Sequence, residues 1–348
     1  MRSLASTISV LMLVLAGCGQ DTPSSGDDDT PAADATVQPP GDGTPSIDAA
    51  PGPDAAPARD TGEPGEWDVN VATASATTSL GTAGLTIYTP SSDGGTSPAA
   101  GPWPLVVVST GFQIGRTNYD ATCRHLASWG YLTISHDYTS GNHQEKAAEV
   151  SELIDWALGG SSGLAARIDA GKIAVAGHSM GGKVSILTAI EDDRVGAVVG
   201  WDPVDALPPF GNDGSTSVAP ERMAELTVPF AVLGETTDGS GSGQACAPAD
   251  DNYTQYFGAA CNAPATLEVT IAGADHTDWV DSRSSCGLAC LFCATGATDD
   301  ATVLTITRRV TVAWLQTYLR GLGGYGPYLT TPGIGSPASI RTTVPGCP

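Results

Sequence analysis

The segment of residues 172–190 restricts the possible folds of this chain more than any other stretch. It reads KIAVAGHSMGGKVSILTAI, in which a run of β-branched and small apolar residues leads to Ser179 and a helix-compatible run follows. Small residues on both sides of the serine let the incoming strand and the outgoing helix approach closely. We therefore predict a sharp strand-turn-helix bend that raises the Ser179 hydroxyl above the end of a sheet. The backbone N–H of Met180, at the start of that helix, would face the space in front of the hydroxyl and favour negative charge there.

Strand-like and helix-like segments alternate through the chain from about Trp67 onwards. Residues 69–88 alternate as in an antiparallel hairpin. Short apolar runs, typical of strands buried on both faces, occupy residues 105–108, 131–135, 195–199, 228–233 and 267–271, and the last of these is expected to end the sheet. Helical spacing of apolar residues occupies residues 119–129, 145–158 and 300–319. This alternation predicts one α/β domain over residues 67–348, with a mostly parallel sheet, helices on both faces and the functional site at the carboxyl ends of the strands.

A serine hydroxyl is a weak nucleophile, so it needs an imidazole to take its proton and a carboxylate to orient that imidazole. Four of the five histidines come before Ser179 in the chain, namely His125, His136, His143 and His178. The last of these lies inside the bend and is expected to direct its side chain away from the serine. His276 follows the last predicted strand, where the base belongs when the chain order is serine, acid, histidine. His276 is therefore the candidate base.

The orienting acid has three candidates. Asp202 follows the strand after the bend and is held by Pro203, whereas Glu235 and Asp238 follow the next strand. The glycine-serine sequence around Asp238 is too flexible to hold an imidazole with the positional accuracy that catalysis needs. We therefore favour Asp202, and we assign Asp205 to capping or solvation.

Aromatic residues and backbone amides complete the candidate site. The loop after residues 105–108 offers the N–H of Phe112 as a second donor to an oxyanion, beside that of Met180. The Phe112 ring could equally form a wall of the substrate cleft. Trp201 and Trp279 flank the acid and the base, where they would line an apolar acyl site or serve in packing.

The first 17 residues have the layout of a secretory signal, with a basic start, a short apolar stretch and small residues before Cys18. This ending is similar to a bacterial lipobox, which implies cleavage before Cys18 and lipidation of its thiol. The apolar stretch is too short to span a bilayer. Gly19 does not resemble an inner-membrane retention signal, so we expect an outer-membrane or cell-surface lipoprotein that contacts the membrane through its N-terminal lipid.

Residues 18–66 consist mainly of Asp, Pro, Ala, Gly, Ser and Thr, and we expect them to form a disordered, extended tether. Over the whole chain 38 acidic residues stand against 15 basic ones, which gives a net charge of −23. This excess argues against nucleic acid or an anionic surface as a partner and favours solubility outside the cell. We expect a monomer that needs no metal and no organic cofactor.

Beyond Cys18 there are seven further cysteines, namely Cys123, Cys246, Cys261, Cys286, Cys290, Cys293 and Cys347. In an exported protein they are expected to form disulfides rather than to hold a metal. The cluster at 286–293 has a zinc-like spacing but lacks a neighbouring set of cysteine and histidine, so we favour disulfides there as well. We predict a bridge between Cys246 and Cys261 and a free thiol at Cys123.

These motifs resemble the α/β-hydrolase superfamily and, within it, the chlorophyllase-like serine esterases. The resemblance covers residues 105–319 and rests on LVVVSTGF, HLASWGYLTISHDY, GHSMGGK, VVGWDPVD, a CAP sequence before a Tyr-Phe pair, and ADHTDWVD. It implies that Ser179 is the nucleophile, Asp202 the acid and His276 the base. Platelet-activating-factor acetylhydrolases are similar in having an acid 23 residues after the nucleophile. Phe112 with Met180 resembles the oxyanion donors of cutinase-like polyester hydrolases.

The resemblance is incomplete around the site. Thr110 stands where the family has His, Met180 where chlorophyllases have Arg, and Asp275 where Gly precedes the base. These departures leave the three catalytic positions intact but do not point to chlorophyll as the substrate. The expected activity is cleavage of a carboxylic ester through an acyl-enzyme, with a lipid, short acyl, polyester or phytyl-type ester as substrate. The alternative is an inactive hydrolase fold that serves as a surface-displayed binding or scaffold lipoprotein.

Overall fold

The computed structural model describes residues 59–139, 141–205, 217–239, 246–286, 290 and 292–344. The predicted signal peptide, the predicted lipidation site at Cys18 and the predicted tether up to residue 58 lie outside these ranges. None of the helices in the described part of the chain has the length and apolar character that crossing a bilayer requires.

Within the described residues, nine strands form one sheet in the order β1-β2-β4-β3-β5-β6-β7-β8-β9. They are β1 (Asp68–Thr78), β2 (Gly81–Ser91), β3 (Trp103–Ser109), β4 (Leu132–His136), β5 (Ile168–His178), β6 (Val195–Trp201), β7 (Phe230–Glu235), β8 (Thr266–Ile271) and β9 (Ala338–Arg341). Neighbouring strands from β4 through β3 to β8 pair parallel, whereas β1, β2 and β9 add antiparallel pairs at the two edges. The central strands are buried on both faces, as their continuous apolar runs predicted.

The helices are α1 (Asp120–Ser128), α2 (His143–Leu158), α3 (Met180–Glu191), α4 (Tyr253–Ala259), α5 (Asp300–Trp314) and α6 (Thr331–Ile334). Helices α1 and α5 contribute Leu126 and Val310 to the apolar cluster on one face of the sheet. Helices α2 and α3 contribute Leu153 and Val184 to the cluster on the other face. Burial of each such side chain stabilises the fold by about 1.5–3 kcal/mol. The predicted α/β-hydrolase fold, with helices on both faces of a mostly parallel sheet, is confirmed.

Helix α2 begins two residues before its predicted start, because Asn142 provides its N-cap. The Asn142 side chain accepts a hydrogen bond from the Glu145 N–H at 2.9 Å, and the Glu145 carboxylate accepts one from the Asn142 N–H at 2.8 Å. This reciprocal capping box satisfies two backbone donors at the helix start.

Two predicted elements differ in the structure. The prediction that residues 267–271 end the sheet was wrong, because β9 pairs antiparallel with β8 and closes that edge. The strand has four residues and follows Pro337, so it carries too little alternation to be recognised in sequence. The helix predicted over 300–319 is regular only to Trp314 and continues as a π-helical turn over Leu315–Leu319.

Residues 59–66, which were predicted to belong to the tether, instead pack on the domain. The Asp60 carboxylate pairs with the Arg309 guanidinium at 2.8 Å, and the Thr61 hydroxyl donates to the Arg309 carbonyl at 2.8 Å. The Trp129 indole donates to the Glu63 carbonyl at 2.9 Å. Polar and backbone groups make these contacts. The near absence of large apolar residues in this segment therefore gave no indication that it packs on the domain.

The predicted bridge between Cys246 and Cys261 was wrong. Cys246 pairs with Cys293, and their Cα atoms lie 5.3 Å apart. The chain returns through β8 and the loop after it, so a distant cysteine lies closer in space than the neighbour in sequence. Cys286 pairs with Cys290. Cys123 on α1 has a buried free thiol, as predicted.

Candidate active site

Ser179 lies at the sharp bend between β5 and α3. Its backbone has φ 59° and ψ −127°, which is strained for a residue with a side chain. Glycines make the bend possible, since a Cβ on Gly181 would lie 2.2 Å from the Ser109 carbonyl oxygen. A Cβ on Gly177 would lie 2.4 Å from the Gly181 carbonyl oxygen. We call this bend at Ser179 the elbow. The small residues that predicted it are required, because three backbone segments approach one another closely there.

The His276 ring lies between Ser179 and Asp202. Its Nδ1 is 2.6 Å from a carboxylate oxygen of Asp202, and its Nε2 is 2.9 Å from the Ser179 hydroxyl oxygen. Because an ionised carboxylate only accepts hydrogen bonds, Nδ1 carries the proton and Nε2 offers its lone pair to the hydroxyl. All three side chains are buried. The structure thus brings together the three residues chosen from the sequence, in an arrangement that can remove a proton from the serine.

Asp202 directly follows β6 and is held in place by its backbone. It adopts φ 44°, and its N–H donates to the Leu233 carbonyl at 2.7 Å. Asp205, predicted to cap or to be solvated, accepts a hydrogen bond from the Val218 N–H at 3.1 Å and also forms a fully buried ion pair with Lys183 at 2.7 Å. Since Lys183 lies in the first turn of α3, this ion pair links the loop that carries Asp202 to the helix that follows Ser179.

The two other candidates for the acid have different partners. The Glu235 carboxylate accepts a hydrogen bond from the Asp238 N–H at 2.9 Å. One carboxylate oxygen of Asp238 accepts from the N–H groups of Cys246 at 2.6 Å and Ala247 at 2.9 Å. The ring nitrogens of His276 bond to neither carboxylate. The choice of Asp202 therefore agrees with the geometry.

Negative charge is concentrated around Asp202. Burial raises the pKa of Asp202 to about 6, the hydrogen bond from His276 opposes this rise, and the charges of Asp238 and Asp275 add to it. Burial first, and the charge of Asp202 second, raise the pKa of Glu235 to about 9. A proton shared by this region therefore favours Glu235 over Asp202, which leaves Asp202 as the more acidic of the two. Despite the many carboxylates, the described part of the chain holds no group of three or more acidic, His or Cys side chains arranged for a metal ion.

The loop that carries His276 is fixed by an ion-pair cluster that sequence reasoning missed. Asp275 is buried and accepts a hydrogen bond from the Gly296 N–H at 2.6 Å. Arg283 pairs with Asp275 at 2.5 Å and also with Asp278. The sequence feature that could have indicated this cluster is the pair of aspartates on either side of His276, followed by Arg283. Asp275, which the sequence showed only as a departure from the family pattern, thus positions the candidate base.

The two candidate oxyanion donors come from a loop and from a helix start that border Ser179. Strands β3 and β5 are neighbours, with Ser109 opposite Gly177. Phe112 follows the end of β3, and Met180 is the first residue of α3. The Phe112 side chain is 57% exposed, so its ring is available as a wall of a cleft.

Trp201 and Trp279 are buried and serve in packing, one of the two roles left open for them. The Trp201 indole donates to the Thr311 hydroxyl of α5 at 3.1 Å. The Trp279 ring lies stacked on the ring of His178, with centroids 6.2 Å apart and planes at 16°.

Comparison with known proteins places the chain in a family. A sequence profile of the Chlorophyllase family matches residues 59–331. Chlorophyllase-1 of Citrus sinensis is 24% identical over 242 residues, which cover 65% of this chain and 71% of that protein. Chlorophyllase-2 of Arabidopsis thaliana is 26% identical over 188 residues, covering 47% of this chain and 57% of the relative. A bis(hydroxyethyl) terephthalate hydrolase of Streptomyces coelicolor is 28% identical over 176 residues, covering 50% of this chain and 51% of that protein.

The matched region covers residues 59–331 and so contains the described strands β1 to β8 and helices α1 to α5. It includes Ser179, Asp202 and His276 as well as the elbow and the central strands. The fold, the bend at the serine and the matched sequence therefore agree, and this chain belongs to the chlorophyllase family of the α/β-hydrolase superfamily.

Proposed function

We propose that this protein is a serine hydrolase that cleaves carboxylic esters through an acyl-enzyme. The observation that carries the proposal is the His276 ring, whose two nitrogens lie 2.9 Å from the Ser179 hydroxyl and 2.6 Å from the Asp202 carboxylate. Membership in the chlorophyllase family and the likeness to a terephthalate-ester hydrolase support ester hydrolysis as the class of reaction.

In the first half of the reaction the Ser179 hydroxyl oxygen attacks the carbonyl carbon of the ester while its proton passes to Nε2 of His276. The Asp202 carboxylate stabilises the imidazolium that forms. The N–H groups of Met180 and Phe112 donate to the oxyanion, and each such donor contributes on the order of 10² to 10³ in kcat. The carbon–oxygen bond then breaks, and the imidazolium gives its proton to the leaving alcohol oxygen.

In the second half water replaces the alcohol. His276 takes a proton from the water, whose oxygen attacks the acyl carbon of the ester on Ser179. The second tetrahedral intermediate collapses, the serine oxygen regains the proton, and the carboxylic acid leaves. No group beyond those described is required to balance the protons.

The substrate class is proposed as an ester with an apolar group next to the carbonyl, drawn from lipid, short acyl, polyester or phytyl-type esters. The exposed ring of Phe112, adjacent to the candidate oxyanion amide, supports this choice. A series of p-nitrophenyl esters of increasing acyl length, with bis(hydroxyethyl) terephthalate and chlorophyll as further substrates, ranks these classes by kcat/KM.

The proposal is tested with the full chain and two serine variants. Wild type should hydrolyse at least one p-nitrophenyl ester, and Ser179→Ala should lower kcat by at least about 10³. Ser185→Ala is the matched control, because Ser185 is a buried serine two turns along α3 whose hydroxyl has no hydrogen-bond partner among the described residues. An inert wild type, or a Ser179→Ala variant as active as the control, would contradict the proposal and favour a binding or scaffold role.

We further propose that the protein is exported and anchored through a lipid on Cys18. The pairs Cys246–Cys293 and Cys286–Cys290 support an oxidising compartment. The full chain should fractionate with membranes, and Cys18→Ser should release it into the soluble fraction. A wild-type chain found in the soluble fraction argues against the anchor.

A further inference from the structure

We propose that Tyr119 and His178 form a positioning pair that holds the oxyanion loop (residues 110–114) and the base loop (residues 272–279) in register around Ser179. The inference rests on the proposed ester hydrolysis. It concerns two buried polar side chains to which the mechanism above gives no role.

The pair links three backbone segments through one chain of hydrogen bonds. His178, which directly precedes Ser179, has Nε2 2.8 Å from the carbonyl oxygen of His276. Its Nδ1 lies 2.9 Å from the Tyr119 hydroxyl oxygen. That hydroxyl lies 3.0 Å from the backbone nitrogen of Gly111, the residue before the candidate oxyanion donor Phe112. The base loop, the bend at Ser179 and the oxyanion loop are thereby connected through two side chains that are fully buried.

The direction of each hydrogen bond follows from the chemistry of the groups. A carbonyl oxygen only accepts, so Nε2 of His178 carries the proton and Nδ1 has a free lone pair. The Tyr119 hydroxyl donates to that lone pair and accepts from the Gly111 N–H. Each donor has one acceptor, so the chain of bonds fixes the orientation of the ring and of both loops.

Burial keeps these directions constant. Burial first, and the neighbouring His276 second, hold the pKa of His178 well below its usual range, so the ring stays neutral. Burial also raises the pKa of Tyr119, which therefore keeps its proton. Because its pKa is low and its Nδ1 already accepts from Tyr119, His178 does not compete with His276 for the proton of Ser179.

Neighbouring rings and a close glycine restrict the position of the pair. The His178 ring contacts the ring of His276, with centroids 4.7 Å apart, and stacks on the ring of Trp279. A Cβ on Gly111 would lie 3.2 Å from both the His178 Nδ1 and the Tyr119 hydroxyl oxygen. Glycine at this position thus lets the oxyanion loop approach the pair closely enough for its N–H to bond.

Removal of the Tyr119 hydroxyl should affect the transition state more than substrate binding. Without it the Gly111 N–H loses its acceptor, and the peptide that leads to the Phe112 N–H loses its fixed orientation. An oxyanion donor acts only when the negative charge develops, so the loss appears in kcat and not in KM.

The test compares Tyr119→Phe with Tyr131→Phe in the full chain. Tyr131 is likewise fully buried, and its hydroxyl donates to Gln316 at 3.2 Å, but it precedes β4 and so lies at the opposite end of the parallel strands from the site. Tyr119→Phe should lower kcat by about tenfold to a hundredfold with KM within about twofold, which is less than the loss of a direct donor. Tyr131→Phe should have kcat and KM within about twofold of wild type. The two variants should show similar shifts in Tm.

Two results would overturn the inference. One is a kcat for Tyr119→Phe within about twofold of the control. The other is a loss that disappears when kcat is expressed per site titrated with a fluorophosphonate, because that loss reports only unfolding. A wild-type protein that no fluorophosphonate labels would refute the proposed function itself, whereas a labelled wild type with a normal Tyr119→Phe refutes the positioning pair alone.

A second variant tests whether the two residues act as one chain. His178→Gln removes the ring that bonds to both the Tyr119 hydroxyl and the His276 carbonyl. In that background Tyr119→Phe should cost at most about twofold more in kcat, because the hydroxyl has already lost the ring that fixes its orientation. A further tenfold loss would show that the two residues act independently and would contradict the pairing.

Discussion

At the scale of single residues, the Asp202 carboxylate is the group on which the orientation of His276 depends. It is completely buried, and one of its two oxygens has no hydrogen-bond partner among the described residues. The other oxygen is only 2.6 Å from Nδ1 of His276. A carboxylate in this environment stabilises a positive charge that develops beside it, as the proposed mechanism requires of His276 in the transition state.

Replacement of Asp202 by Asn should therefore lower kcat by about 10⁴, because the amide keeps the shape but allows the wrong tautomer of His276. Steady-state kinetics on a p-nitrophenyl ester measure the effect. Asp238→Asn is the control, since Asp238 is also buried near the site but bonds to backbone N–H groups. A large loss in Asp238→Asn together with normal activity in Asp202→Asn would overturn the assignment of the acid.

Glu235 should make stability depend on pH. Its pKa is raised to about 9 in the folded protein against 4.5 for the ordinary group, so the folded state binds more protons between those values. The stability contribution is complete below about pH 4.5 and declines as the pH rises towards 9. Glu235→Gln cannot ionise, so its Tm should fall less than that of wild type between pH 6 and pH 9.

The control for this measurement is Glu225→Gln. Glu225 is exposed at the surface, and its hydrogen bond with Arg222 lowers its pKa, so it stays ionised throughout the range. Its Tm should follow that of wild type from pH 6 to pH 9. Parallel curves for wild type and Glu235→Gln would show that Glu235 has an ordinary pKa.

At the scale of elements, the bend between β5 and α3 depends on backbone contact rather than on side-chain packing. Gly181→Ala should destabilise the protein by about 3 kcal/mol or more, because the added methyl group meets the backbone of Ser109 and Thr110 at 2.2 to 2.5 Å. Thermal unfolding measures the change, and activity should fall with it.

Gly258→Ala in α4 is the matched control, because a Cβ there meets nothing within 4 Å. It should leave Tm unchanged or raise it slightly, since alanine lowers the entropy of the unfolded chain. If Gly181→Ala unfolds at the same temperature as this control, the close approach described for the elbow does not exist.

Elements with strong local patterns were predicted well from the sequence. The run at 105–108 could be read as β3 and the run at 172–178 as part of β5, because a strand covered on both faces must be apolar throughout. Strand β9 could not be found, since an edge strand of four residues depends on its pairing with β8 and not on its own pattern. The bridge from Cys246 to Cys293 was missed for a similar reason, because sequence spacing does not determine how β8 returns the chain.

At the scale of the whole molecule, residues 59–66 fasten the start of the domain to α1 and α5. His125 on α1 bonds to the Thr61 carbonyl at 2.8 Å, and Arg309 on α5 holds Asp60 at 2.8 Å. A chain that begins at residue 67 should therefore unfold at least about 4 °C below one that begins at residue 59, because several partly buried hydrogen bonds are lost.

The control for this truncation is Asp60→Ala in the chain that begins at residue 59. It removes the ion pair with Arg309 but keeps the bonds to Thr61 and Glu63, so its Tm should lie between those of the two chains. Identical melting temperatures for the two chains would show that residues 59–66 add nothing to the fold.

The strand-turn-helix pattern indicated Ser179, and chain order indicated His276 as the histidine that follows the serine. Order left three candidate acids open, and Asp202 was favoured because Pro203 follows it and because the sequence around Asp238 is rich in glycine and serine. The supports of the site were not visible in the same way. The pairing of Arg283 with Asp275, the buried ion pair of Lys183, and the contact of His178 with the base loop all join segments distant in sequence. Such contacts depend on how distant segments meet in the folded protein, so no local sequence motif predicts them.

The central claim is that one serine hydroxyl is activated at the elbow. The full chain is treated with a fluorophosphonate probe, digested and mapped by mass spectrometry, with His276→Ala treated in parallel. The account predicts a single adduct on Ser179 that forms at least about a hundredfold more slowly in His276→Ala. No adduct on the wild-type chain, an adduct on another residue, or equal rates in the two proteins would contradict it.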